Sequence, residues 1–151
     1  MSRIRMGFYS GIIGTIVVGA LLLMNNALHS VPDIHVAKSL AGMMGESNHI
    51  MAGVAAIPVI GIFIFGGLFA ALAPKIPVRT YIGKSLIFGV ASWLLTMVVF
   101  MPLDGSGFFG LKAGPVVPEG MLVLNLAYWI ALGMSFSWLA IPVAAPERAE
   151  P

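Results

Sequence analysis

The sequence predicts an all-α membrane protein whose four transmembrane helices pack as a bundle. Of the 151 residues, 59% are hydrophobic and only 9% are charged, and the mean hydropathy is +0.99. A soluble domain has about a quarter charged residues because water must wet its surface. A membrane-crossing helix needs roughly 20 mostly apolar residues. Four segments meet that length, at about 7–28, 49–73, 83–101 and 120–141.

Turn-forming residues separate the predicted spans. The segment 74–77 (Pro-Lys-Ile-Pro) closes the second span, 102–105 (Pro-Leu-Asp-Gly) closes the third, and Pro142 ends the fourth. Lys84, at the start of the third, is the one Asp, Glu, Lys or Arg inside them. The first apolar run, 7–23, is longer than the signal-peptide core of about 7–15 residues. We therefore interpret it as a retained span and residues 1–151 as a single membrane domain.

The basic residues of the short loops predict the orientation, because Lys and Arg concentrate in cytoplasmic loops. One side carries Arg3, Arg5, Lys75, Arg79, Lys84 and Arg148. The other side carries only Lys38 and Lys112. The prediction is a multi-pass protein of a bacterial inner membrane, with both termini in the cytoplasm and two outer loops at about 29–48 and 102–119.

Both outer loops are more than linkers. Residues 33–44 place apolar side chains largely on one helical face, and Asp33 follows Pro32 as a candidate N-cap. This pattern predicts a short helix in the membrane interface. The second outer loop is rich in Gly, Pro and apolar residues, and we expect it to fold back over the outer mouth of the bundle.

Small residues at four-residue spacing indicate where the helices pack. Lipid removes the hydrophobic drive between spans, so close approach at small residues must hold them together. The candidate packing residues are Gly7, Gly11, Thr15 and Gly19 in the first span and Gly66 and Ala70 in the second. Packing within the bundle is favoured over a dimer motif. Pro58 is expected to kink the second span.

Polar residues gather towards the outer end of the predicted bundle. This outer polar cluster comprises Asn25, Asn26, His29, His49 and Asn125. No ionisable residue lies deep in a span, which argues against proton relays and ion-coupled transport. Asn125 is the deepest polar group, and we expect it to form a hydrogen bond between helices rather than to contact a ligand.

The histidines are the candidate metal ligands. His29, His35 and His49, with Asp33 and Glu46, could in principle bind zinc or iron, but their spacing matches no ligand motif. We interpret them as interfacial polar residues.

Two further cofactors remain as alternatives. Copper(I) could use Met43, Met44 and Met51, and haem could use His49, although Asn125 occupies the matching place in the fourth span. We expect no cofactor. We also expect no enzyme activity, since the sequence has no cysteine and no recognisable nucleophile with a base.

Two segments resemble a known family. Residues 40–45 (Leu-Ala-Gly-Met-Met-Gly) and 101–103 (Met-Pro-Leu), with Gly105, Gly107 and 109–111 (Phe-Gly-Leu), are similar to small uncharacterised four-helix proteins of bacterial inner membranes, a domain of unknown function. The resemblance extends from about Met6 to Leu139. It implies the four-span topology and supplies no activity.

The functional hypothesis preferred on these grounds is a non-catalytic accessory or assembly subunit of a larger respiratory or photosynthetic membrane complex. Its partners would be the lipid bilayer and other integral membrane subunits. A net charge of +2 gives no reason to expect nucleic acid. The alternative is a binding or transport module for a small molecule, a lipid or quinone, or a metal, with its site at the outer end of the bundle.

Overall fold

A computed structural model describes residues 2–28, 50–103, 105–112 and 114–141. In these ranges the chain is helical or in turns, without a strand. Four helices are long and apolar enough to cross a membrane: the first span Arg3–Asn25, the second span Gly53–Lys75, the third span Tyr81–Leu103 and the fourth span Val117–Ala140. The predicted all-α chain with four spans is confirmed. The predicted interfacial helix, 33–44, lies outside the described residues.

The first and fourth spans are regular α-helices. They belong to the helices Arg3–Leu28 and Val117–Ala140. Pro118 stands in the first turn of the latter, where its missing N–H costs no hydrogen bond, and Glu119 follows where an acidic group favours the helix dipole. The fourth span therefore begins three residues earlier than the predicted boundary at about 120.

The second and third spans each contain a π-helical segment. The second runs as α-helix Ile50–Val59, π-helix Ile60–Gly66, α-helix Gly67–Leu72 and 3-10 turn Ala73–Lys75. The third runs as α-helix Tyr81–Leu95, π-helix Thr96–Phe100 and the short α-helical turn Met101–Leu103.

Local sequence features explain where the third span begins and where the second departs from α-helical geometry. The Thr80 side chain accepts a hydrogen bond from the Gly83 N–H at 3.1 Å, a typical N-cap. Pro58 lies inside the second span two residues before its π-helical segment. Proline removes an N–H and crowds the preceding turn, which disturbs regular α-helical bonding.

Close approaches between backbones show that neighbouring spans are antiparallel. A Cβ on Gly7 would collide with the Gly66 carbonyl oxygen, and one on Gly11 would lie 2.9 Å from the Gly61 carbonyl oxygen. The third and fourth spans are antiparallel too, since a Cβ on Gly89 would lie 3.3 Å from the Trp129 side chain and one on Gly133 would lie 2.8 Å from the Ser85 Cβ. The chain therefore runs up, down, up and down, and Arg3, the 76–80 connection and Ile141 share one end. We name this the inner end and the opposite one the outer end.

An aromatic cluster fills the inner half of the bundle. Phe69 and Trp129 are completely buried, and Phe136 almost so. Trp129 stacks on Phe88 with ring centroids 5.2 Å apart, and Phe69 meets Phe136 edge-to-face at 5.2 Å. Such pairs add about 0.5–1.5 kcal/mol each beyond area burial. Phe69 lies in the second span, Phe88 in the third, and Trp129 and Phe136 in the fourth, so the cluster ties three spans together.

Candidate functional site

A polar cluster lies between the third and fourth spans near the middle of the bundle. Ser92 donates its hydroxyl to the Asn125 Oδ1 at 2.6 Å. The Trp129 Nε1 lies 2.8 Å from the Ser92 Oγ and 3.1 Å from the Asn125 Oδ1, so its single N–H is shared between two acceptors. We call Ser92, Asn125 and Trp129 the polar triad.

Asn125 lies farther from the outer end of its helix than the predicted span boundary at about 120 implies. Asn125 follows Val117, where the fourth helix begins, by eight residues, which at 1.5 Å per residue places it about 12 Å along that helix. Its hydrogen bonds within the triad use only the carbonyl oxygen. The amide of asparagine also carries two N–H donors, and Asn125 is only half-buried.

A second junction joins the first, second and fourth spans at a similar depth. The Tyr128 hydroxyl donates a hydrogen bond to the Gly61 carbonyl oxygen, which lies inside the π-helical segment of the second span. Gly14 makes room for the Tyr128 ring, since a Cβ there would lie 2.7 Å from the ring edge. Thr15 packs directly against Gly61.

Two buried hydroxyls near this junction have no hydrogen-bond partner among the described residues. They are the Oγ of Ser10 and the Oγ1 of Thr15. A hydroxyl buried without a partner is costly, and such groups in native proteins need a specific reason. Both belong to the first span.

Buried side chains form a large cluster in the inner half and a smaller one in the outer half. The smaller cluster consists of Met97, Met101 and Val117, and the half-buried Met121 packs against it. On the first span, no described residue from Thr15 to Asn25 is buried. In the outer half the third span and the start of the fourth are therefore better covered than the first span.

The family comparison gives the chain an affiliation without an activity. A model described as a family of unknown function, DUF6789, matches residues 1–145. The chain belongs to the DUF6789 family. No curated protein and no solved structure matches it. The expected membership of an uncharacterised family is thus confirmed.

The outer polar cluster predicted for this DUF6789 protein is only partly described. His29 and His49, like His35, lie outside the described residues, and nothing is described of the Asn26 side chain. Gly14 packs against Tyr128, so the two lie at one level. From that level, Asn25 lies eleven residues towards the outer end along the first span, and Asn125 lies three residues towards it along the fourth. At 1.5 Å per residue, Asn25 is therefore about 12 Å nearer the outer end than Asn125.

The predicted helix-packing residues of the DUF6789 chain have different environments. Gly7, Gly11, Gly66 and Ala70 lie where the first and second spans touch, and Thr15 contacts Gly61. Gly19 has no atom within 4 Å of an added Cβ, so it borders open space.

Sequence reasoning missed four close-packed glycines: Gly14, Gly61, Gly89 and Gly133. Ser85 and Gly89, four residues apart, would have been found by extending the small-residue rule to the third span. Gly133 and Ser137 are also four residues apart, so the same rule would have found Gly133, whereas Gly61 belongs to no such series.

The polar side chains that the described part of this DUF6789 chain brings together are hydrogen-bonding groups. Within the described ranges, no three His, Asp or Glu residues are grouped so as to hold a metal ion. The Asn125 amide carries two N–H donors beside the triad, which an uncharged acceptor could bind.

Proposed function

We propose that this protein is a non-catalytic accessory or assembly subunit of a larger complex in a bacterial inner membrane, of the respiratory or photosynthetic kind. The observation that carries the proposal is the buried aromatic cluster in the inner half of the bundle, together with the positions of the charged residues. The charged residues of the described spans stand only near the span ends: Arg3, Arg5, Lys75, Lys84 and Glu119. A transport path needs protonatable or charged groups along it.

The proposed orientation rests on the distribution of charge between the two ends. Arg3, Arg5, Lys75, Arg79 and Lys84 share the inner end, whereas Lys112 and Glu119 stand at the outer end. An excess of Lys and Arg in short loops favours the cytoplasm. The inner end is therefore assigned to the cytoplasm and the outer end to the periplasm or exterior.

Crosslinking in the native membrane tests the subunit role. A photoreactive phenylalanine analogue would replace one lipid-facing residue at a time: Phe63, Val90 or Val123, which are exposed on three different spans. We expect one face to crosslink to a single partner protein of fixed identity, and the same partner to comigrate with the chain on a native gel in mild detergent. Phe136, which is buried, is the matched control position. A chain that migrates alone and crosslinks only to lipid from every face would overturn the proposal.

A second candidate function is favoured by the half-buried Asn125 amide. Its bonds within the triad use only the carbonyl oxygen, so its N–H donors could bind a neutral, lipid-soluble molecule with a carbonyl or hydroxyl acceptor, such as a quinone or an uncharged lipid. No charged residue of the described spans lies at that depth, which disfavours an ionic head. The metal version of this alternative depends on His29, His35 and His49, outside the described residues.

Retention of the molecule through purification tests this second candidate. The wild-type protein, Asn125→Leu and the control Ser135→Ala would be purified in parallel and their organic extracts compared by mass spectrometry and absorption. Ser135 bonds only to carbonyls of its own helix, so its loss should leave the outer half unchanged. We expect a stoichiometric compound in the wild type and control that is lost from Asn125→Leu. Equal extracts from all three would remove this candidate.

A further inference from the structure

The loop that joins the third and fourth spans presents an exposed apolar surface at the outer end. It comprises the described residues 105–112 and 114–116, and we call it the outer loop. Four apolar side chains on it or beside it are exposed: Leu103 by 73%, Phe108 by 66%, Leu111 by 62% and Val116 by 46%. We call these four the loop patch. Large apolar side chains exposed so close together in the sequence indicate contact with a membrane or a protein.

The backbone of the outer loop makes its own hydrogen bonds. Ser106 N–H donates to the Met101 carbonyl at 3.0 Å, and Lys112 N–H donates to the Ser106 carbonyl at 3.1 Å. Further local bonds run from the N–H groups of Gly105, Gly110, Leu111 and Val117 to carbonyls three residues earlier. Irregular backbone exposed to lipid does not occur within the hydrocarbon core, whereas at the headgroup boundary water can bond the backbone groups that remain. The partly bonded backbone of the outer loop therefore suits a position at that boundary.

The outer loop packs beside the outer turns of the third span. The Phe109 ring lies 5.9 Å from the Trp93 ring, centroid to centroid. Gly110 is buried, and a Cβ there would lie 3.3 Å from the Met101 Sδ. Trp93 also donates its Nε1–H to the Pro118 carbonyl at 3.0 Å, which fixes the end of the loop to the third span.

Phe109 has a left-handed backbone conformation and stands between side chains of this loop that are exposed. Phe109 has φ 56°, a conformation that residues other than glycine rarely adopt and that needs support from surrounding packing. The support comes from Trp93, against which Phe109 packs. With Phe109 directed to the protein, its neighbours Phe108 and Leu111 remain on the exposed side.

Lys112 gives the loop patch a charged border. Its aliphatic stem lies along Gly107, where an added Cβ would meet the Lys112 Cγ, Cδ and Cε at 3.3–3.4 Å. A lysine whose stem follows an apolar surface can place its ammonium at the membrane–water boundary. Phosphate groups of lipids lie at that boundary and complement its charge.

We propose that the outer loop is an interfacial element at the boundary of the outer leaflet, with the loop patch turned towards acyl chains and the Lys112 ammonium among lipid headgroups. The partner of this surface is the bilayer. Its packing beside the outer turns of the third span, its partly bonded backbone and its lysine border together favour lipid over a second copy of the chain. The proposal does not depend on the subunit role, because it concerns the protein in any membrane.

Spin labelling tests the depth of the loop directly, since the chain has no cysteine of its own. Phe108→Cys and Leu111→Cys would each be labelled with a nitroxide in the full-length protein, reconstituted in vesicles of phosphatidylcholine and phosphatidylglycerol. Collision with oxygen, which concentrates in lipid, is compared with collision with a water-soluble nickel chelate. Val123→Cys, exposed on the fourth span, serves as the lipid reference, and Arg79→Cys, in the inner connection, as the water reference.

We expect the depth parameters of Phe108→Cys and Leu111→Cys to shift from the Arg79→Cys value towards the Val123→Cys value. Values equal to those of Arg79→Cys would place the loop in water and overturn the proposal. Low accessibility to both reagents would place the patch against protein instead, and spin–spin broadening that disappears on dilution with unlabelled chain would identify a second copy. Normal far-UV circular dichroism of each labelled variant checks that it has folded.

Discussion

Single residues without side chains decide how closely the first and second spans approach. Gly7 and Gly66 are in mutual contact, so that a Cβ on either one would strike the backbone of the other. Gly11 meets the backbone of Gly61 and Ile62 in the same way. Lipid offers no hydrophobic gain for helix association, and the stability of this pair depends on contacts that only glycine permits.

Replacement of glycine by alanine should have opposite signs at two positions of the same series. Gly7→Ala places a methyl group against the Gly66 carbonyl, and overpacking of this kind costs about 1–3 kcal/mol. Gly19→Ala meets open space and gains helix propensity, so it should be neutral or stabilising by up to about 1 kcal/mol. Unfolding in detergent, followed by circular dichroism, measures both. Equal effects would show that the Gly7 contact contributes nothing to stability.

Ser92 and Asn125 provide a second residue-scale prediction. The free energy of unfolding is measured for Ser92→Ala, for Asn125→Leu and for the double variant. The two single losses together should exceed the loss in the double variant by about 0.6 kcal/mol, and at most about 1.7, as for other hydrogen bonds between membrane helices. The Ser135→Ala and Asn125→Leu pair is the control, because the Ser135 hydroxyl bonds within its own helix. A Ser92–Asn125 coupling no larger than that of the control would contradict the bond's role.

At the scale of the element, the second span departs from α-helical geometry where another span is bound to it. Its π-helical segment begins two residues after Pro58 and contains Gly61, whose carbonyl accepts the Tyr128 hydroxyl. Wider helical turns loosen the regular bonding pattern, and they occur often at sites with a particular role. Here the irregular segment is the part of the second span that contacts both Thr15 and Tyr128.

Tyr128→Phe tests whether this bond stabilises the irregular segment. The ring and its contact with Gly14 are retained, and only the hydrogen bond to the Gly61 carbonyl is lost. We expect a loss of roughly 0.6 kcal/mol, and no more than about 1.7, in the free energy of unfolding. Tyr9→Phe is the matched control, since Tyr9 is 55% exposed. If both variants unfold at the same denaturant concentration as the wild type, the bond is without net effect.

At the scale of the molecule, the bundle is asymmetric along its long axis. Most basic residues of the described ranges and the aromatic cluster belong to the inner end, while the polar triad and the outer loop lie from the middle towards the outer end. The larger buried cluster joins the spans in the inner half. The smaller one, of Met97, Met101 and Val117, joins the third span to the start of the fourth in the outer half.

Cysteine labelling in intact cells tests the sidedness. Arg79→Cys and Glu119→Cys introduce one thiol each, at the inner and outer ends of a chain without cysteine. A membrane-impermeant maleimide should label Glu119→Cys in intact cells and Arg79→Cys only after the membrane is opened, because the basic end is assigned to the cytoplasm. The reverse pattern would invert the orientation of all four spans.

The polar triad illustrates how far sequence reasoning reaches at the candidate site. Asn125 was recognisable as an unusual polar residue in an apolar span, and a hydrogen bond between helices was the expected use of it. Its partners were not recognisable from the sequence. Ser92 lies 33 positions away, and a tryptophan such as Trp129 in an apolar span is expected to be an ordinary core residue. The predicted span boundary at about 120 also placed Asn125 too near the surface, since a helix that begins with Pro118 in its first turn starts earlier.

By itself, the sequence determined that the chain is helical and has four segments able to cross a membrane, because length and hydropathy are local properties that the lipid solvent selects directly. Only the tertiary structure decided which small residues carry contacts. Gly7 and Gly19 are equivalent in the sequence series, yet one touches the second span and the other borders open space. A helix periodicity defines a face, but whether a neighbouring helix covers that face depends on how the spans tilt and where they meet. The same holds for the outer half, where Met97 and Met101 of the third span are buried and no described residue of the first span from Thr15 to Asn25 is.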